Sequence, residues 1–240
     1  MTTPTPTVVL VHGAFADSSS WNAVVGHLKQ QMVPVVAAAN PLRSVAGDAQ
    51  YVRDVIASID GPVVLVGHSY GGFVVTEAAA ANPKVVGLVY VAAFTPDTGE
   101  NAFTLSAKFP GSTLGEALKA YPVSTGGNEL VIRQEVFGAQ FAADVDDDLA
   151  TLMASTQRPV TETALTDDLP TTTPAWRTIP SWFVFGSADR NIPAELIRFM
   201  ADRAGARAST EVPGGSHALA VSHPVVVAET ILAAVEATKQ

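Results

Sequence analysis

The chain has 240 residues, no cysteine, 48% hydrophobic and 15% charged residues, and a formal charge of −9. That composition is too apolar and too weakly charged for a disordered chain. The lack of cysteine excludes disulfide scaffolds and thiolate metal sites, and the acidic balance argues against gripping nucleic acid.

The opening MTTPTPT lacks a basic segment followed by an apolar one, so no secretory signal is expected. Apolar stretches break well short of the ~18–20 residues a membrane span needs. A cytoplasmic protein is the expectation. The length suits one sizeable domain with an insertion, or two small domains.

Short Val-rich runs follow at Val8–Val11, Val33–Ala39, Val63–Val66, Val85–Ala93 and Trp182–Phe185. Near-continuous apolar runs suit strands of a parallel sheet buried on both faces. Between them, Trp21–Gln31, Ala46–Ile59 and Gly72–Ala81 carry helical spacing or Ala-rich composition, the last ended by Asn82-Pro83. Ala194–Ala204 and Val225–Ala237 are predicted helices, each with a proline near its first turn. Alternating strands and helices define an α/β class with a mostly parallel sheet of about six strands. The alternation stops near Thr95 and resumes near Ile179. Residues 1–95 and 179–240 therefore form the expected core, and 96–178 an inserted, mainly helical cap with loops.

Gly67-His68-Ser69-Tyr70-Gly71 follows an apolar run and precedes an Ala-rich helix. In a strand–turn–helix, the central serine takes strained angles and presents its hydroxyl, and a side chain on either flanking glycine would clash. The serine needs a base. Of five histidines, His27 fits a surface position, His68 the turn itself, His12 a loop support, and His223 a helix boundary before Pro224. His217 lies in the flexible loop Pro213–His217 after the last short strand, Ala208–Val212, and is the chosen base. Asp189, after the strand in WFVFGSADRNIP, is the chosen acid, giving the order Ser, Asp, His. Asp97 is the rival acid. For an oxyanion, one amide is that of Tyr70. The other comes from the loop after the first strand, with Ala14 favoured and Phe15 second. Phe15 is also the pocket residue to expect, while the apolar residues of 96–178 divide between pocket and packing.

The segments VLVHGAFADSSSW, VGHSYGG, FGSADRNIP and PGGSHALA, in this order and spacing, resemble the α/β-hydrolase superfamily. Within it they are similar to the small esterase branch of plant methylesterases, hydroxynitrile lyases and bacterial relatives. The resemblance implies a sheet without the two leading strands of larger members, a cap over the site, a triad of Ser69, Asp189 and His217, and oxyanion amides on Ala14 and Tyr70. The cyanohydrin lyases of that branch carry Thr in the first-strand loop and Lys after the histidine. Here Gly13 and Ala218 stand there, which favours a carboxylesterase, and the mostly apolar cleft under a cap that the resemblance implies suggests small neutral esters. Lyase or perhydrolase chemistry on the same triad, and a slow-turnover ligand receptor, are the alternatives. The acidic run Asp144, Asp146, Asp147 and Asp148 lacks the pattern of a calcium loop and reads as a solvated helix start. No dinucleotide fingerprint or P-loop is present, so no cofactor or metal is expected. The expected partner is a small-molecule ester rather than nucleic acid or membrane. A monomer and a homodimer both fit the sequence.

Overall fold

A computed structural model describes residues 4–239. The chain runs β1 (Thr7–Val11), α1 (Asn22–Gln30), β2 (Val35–Ala38), α2 (Val45–Ala57), β3 (Val63–His68), α3 (Gly71–Ala79) and β4 (Val85–Val91). An excursion follows: α4 (Ala102–Ser106), α5 (Leu114–Ala117), β5 (Leu118–Pro122), β6 (Asn128–Ile132), α6 (Gln134–Phe141), α7 (Asp147–Thr156), β7 (Val160–Thr161) and α8 (Glu162–Thr166). The chain then returns through β8 (Ser181–Gly186), α9 (Ala194–Arg203), β9 (Ala208–Val212), α10 (Leu219–Ser222) and α11 (Pro224–Ala237).

The main sheet has six strands in the order β2-β1-β3-β4-β8-β9, all parallel. The expected class and each expected core strand and helix are therefore present, with ends shifted by a few residues. The apolar runs are explained by two-sided burial: β3 and β8 are buried at every position. Successive β1 residues serve opposite layers. Val9 and Val11 pack in the cluster with α2, α3 and α9, while Val8 and Leu10 pack in the cluster with α1 and α11. The outer strands β2 and β9 are only partly buried, which is why β9 reads ASTEV rather than a valine run.

Because every strand points the same way, the segments following β1, β3, β8 and β9 leave one edge of the sheet. The segment between β4 and β8 is helical, as expected, but it also holds a three-stranded antiparallel sheet, β5-β6-β7, that was not expected. Its signal was the pair Gly126-Gly127, both at positive φ, between two short runs of strand-forming residues. Leu105, Ile132, Phe137 and Phe141 of this segment share one continuous core with α2, α3 and α9. The acidic run begins α7: Asp146 caps it by accepting from the amides of Asp148 and Leu149.

Helix α3 lies so close to the end of β4 that a Cβ on Gly72 would overlap the Phe94 carbonyl oxygen. At Gly115, in α5, a Cβ would meet nothing within 4 Å. Gly72→Ala is expected to lower stability by about 3 kcal/mol or more. Gly115→Ala should leave it within about 1 kcal/mol. Urea denaturation of the two variants measures both, and an unshifted Gly72→Ala midpoint would contradict the packing described.

Candidate active site

Ser69 follows β3 directly and has φ 55°, a left-handed conformation that L-residues with a Cβ seldom adopt. The turn is held on both sides. The Ser69 N–H donates to the Val91 carbonyl (3.3 Å), and its own carbonyl accepts from Gly72 (3.0 Å) and Phe94 (3.2 Å). A Cβ on Gly67 would lie 2.7 Å from the Gly71 carbonyl oxygen, so the motif's glycine there answers to close approach, as expected. The side chain faces a cavity of about 280 Å3, lined with Ala14, Phe15, Tyr70, Phe94, Leu118 and Asn191 among others. Phe15, the expected pocket residue, is thus on its wall.

The segments after β8 and β9 bring Asp189 and His217 together. His217 Nδ1 donates to Asp189 Oδ2 at 2.7 Å, with both side chains essentially inaccessible to water. Asp189 Oδ1 accepts from the amides of Asn191 (2.7 Å) and Ile192 (3.0 Å), so both carboxylate oxygens are engaged. Phe141 meets the His217 ring edge-on, with centroids 4.9 Å apart. The other imidazole nitrogen, Nε2, is buried without a hydrogen-bond partner among the described residues, so Ser69 does not hydrogen-bond it in this arrangement.

The rejected candidates have other duties. Asp97 forms a two-pronged pair with Arg177, its oxygens 2.7 Å from the guanidinium, and takes no part at His217. That corrects its standing as rival acid. His12 Nδ1 donates to the Gly13 carbonyl (2.9 Å), a loop support. His223 precedes α11 and pairs with Asp144 (3.1 Å). His68 Nε2 donates to the His217 backbone carbonyl at 2.9 Å and meets Trp21 edge-on. The turn histidine therefore also braces the His217 loop, a role sequence reasoning missed. Of the two amides weighed after β1, that of Phe15 is spent on the Arg158 carbonyl (3.2 Å), which removes it as an oxyanion donor.

Sequence reasoning also missed the support under Tyr70. Its hydroxyl donates to Asp48 Oδ2 (2.9 Å), while the Arg43 amide donates to both Asp48 oxygens (3.0 and 3.1 Å). Burial pushes the Asp48 carboxyl up, against those hydrogen bonds, and burial then Asp48 push the Tyr70 phenol well up. Asp48 lies on helix α2, in the first turn, where an acidic residue looks like ordinary dipole compensation, so nothing in the sequence singled it out.

A serine at a left-handed strand–helix turn on a six-stranded parallel sheet, with an aspartate–histidine pair from later strand ends, defines an α/β-hydrolase-type architecture. The alpha/beta hydrolase family matches residues 8–230, and the chain belongs to that family. It is similar to salicylic acid-binding protein 2 of Nicotiana tabacum, with 26% identity over 93% of this chain and 95% of the relative. It is 33% identical over 115 residues to a carbendazim hydrolyzing esterase of Nocardioides sp. (strain SG-4G), a match spanning 42% of this chain and 47% of that relative. The structure is similar to that of polyneuridine aldehyde esterase, with a TM-score of 0.82, 20% identity, and coverage of 96% and 99% of the two chains, a likeness of fold.

Burial lowers the pKa of His12, and burial followed by the charge of His217 holds that of His68 well below its ordinary value. The folded chain thus disfavours the protonated form of both, whereas the unfolded chain protonates near the ordinary value of about 6.5. Their depressed folded pKa values mean stability is complete above that pH and is lost as pH falls below it. Unfolding free energy should therefore fall as pH drops through this range, with His68, the more strongly depressed of the two, contributing more. His68→Gln, which retains a donor, should make that slope clearly shallower in urea titrations at several pH values; an unchanged slope would contradict the assignment.

Proposed function

We propose that the chain is a serine carboxylesterase acting on small, neutral esters through an acyl-enzyme. The observation that carries this reading is the buried 2.7 Å pair between His217 Nδ1 and Asp189 Oδ2, taken with a serine held at a left-handed turn after β3. An imidazole with its Nδ1–H anchored to a carboxylate presents Nε2 as the basic atom, and here Nε2 is free. In the resting enzyme such bonds are often long and tighten with substrate.

His217 takes the Ser69 proton as Oγ attacks the ester carbonyl. The tetrahedral oxyanion accepts from the amides of Tyr70 and Ala14. Collapse expels the alcohol, which takes its proton from His217. Water then adds to the acyl-enzyme by the same route, releases the acid and restores Ser69. The Asp48–Tyr70 bond supports this by fixing the residue that supplies one oxyanion amide. Residues 96–178 act as the cap: Ala102, Phe103 and Leu118 of that segment line the cavity with Ser69. The mostly apolar wall suits a neutral ester. Esterases are among the proteins this chain resembles, which supports the reaction class.

Cyanohydrin lyase chemistry is disfavoured on geometry as well as sequence. A Cβ on Gly13 would lie 2.5 Å from the Ser69 Cβ and 2.8 Å from the His68 carbonyl oxygen, so the lyase-type Thr has no room there.

Ser69→Ala is expected to lower kcat/KM for p-nitrophenyl acetate by about four orders of magnitude or more, with the fold intact by circular dichroism. Turnover within tenfold of the parent would overturn the nucleophile assignment.

A further inference from the structure

Asn191 stands two residues beyond Asp189, on the wall of the cavity that holds Ser69, and is 2% exposed. Its backbone amide is bound to Asp189 Oδ1, so its position is tied to that of the acid. The orientation of its side chain follows from what its neighbours can accept and donate. The Arg190 carbonyl only accepts, so Gln140 must present Nε2 to it, at 3.0 Å. Gln140 Oε1 then accepts from the Thr113 hydroxyl at 2.8 Å. The same Nε2 lies 2.7 Å from the Asn191 carboxamide, so the atom facing it is Oδ1. Asn191 Nδ2 is left with two N–H donors and no partner among the described residues.

An unpartnered buried amide donor is costly, and native proteins retain few of them. Of the other polar side chains on the wall, Ser112 is only half-buried, unlike Asn191. The Tyr70 hydroxyl is committed to Asp48, and that of Ser106 donates to the Ala102 carbonyl. The cavity wall carries no Lys or Arg, so nothing there would compensate a carboxylate ligand. We infer that Asn191 is the specificity-determining residue of this cavity. Its Nδ2 donates to a neutral acceptor oxygen, a ketone or an ether, carried by the substrate away from the scissile carbonyl. The substrate class is thus an oxygenated ester rather than a plain alkyl one. The inference deepens the esterase reading and rests on it for turnover, though not for binding.

The test uses p-nitrophenyl esters matched in chain length, with a methylene, a keto or an ether oxygen at the third or fourth acyl position. At least one keto or ether member should exceed its methylene counterpart in kcat/KM by roughly tenfold. Asn191→Leu removes the donor. Asn191→Asp also removes it but keeps an acceptor for Gln140, and so guards against misfolding of the first variant. Each should bring the ratio to about one. A ratio near one in the parent, or one preserved in both variants, overturns the inference. Calorimetry on Ser69→Ala with the corresponding ethyl esters reads the same preference in Kd without turnover, and Asn191→Asp in that background should abolish it. A binding preference with no turnover by the parent keeps the role of Asn191 and sinks the esterase reading. Turnover without preference does the reverse.

Discussion

The site depends on one backbone reversal, the left-handed turn at Ser69, clamped between two buried elements. Strand β3 and helix α3 are buried along their whole lengths, so neither can shift to relieve the serine. Such a conformation carries strain of order 1–3 kcal/mol and persists only where its surroundings over-determine it. Here three backbone hydrogen bonds, to Val91 and from Gly72 and Phe94, do so. The cost is small against the core that imposes it, since each fully buried valine of β1 and β3 contributes about 1.5 kcal/mol or more.

A parallel sheet then does the gathering. Residues distant in sequence leave adjacent strands at the same edge, and short-range hydrogen bonds set their angles. Asp189 is locked by the amides that follow it, and His217 is locked by Asp189 from one side and by His68, through its carbonyl, from another. Tyr70 is held from below by Asp48. The polar groups are buried as linked sets, which is how a low-dielectric site keeps them from becoming a net penalty. The excursion between β4 and β8 closes the arrangement, since Phe141 packs on His217 and its carbonyl accepts from the Ala218 amide.

The core was legible because burial on both faces leaves its mark on every residue of a central strand, as at Val63–Val66. Ser69, Asp189 and His217 were legible as candidates because a tight elbow demands glycines and a strand end demands a turn. The small sheet β5-β6-β7 was not, because its strands are short and half-exposed and alternate weakly. Asp48, Gln140 and Asn191 were invisible for a different reason. Each acts through partners tens of residues away in sequence, and no local pattern announces a hydrogen bond such as that between Tyr70 and Asp48.

The most direct measurement of the central claim is mass spectrometry after treatment with a fluorophosphonate, which reacts only with an activated serine. The account predicts stoichiometric modification confined to Ser69, and its loss when His217 is replaced by Ala. Modification elsewhere, or none at Ser69 in the folded protein, would contradict it.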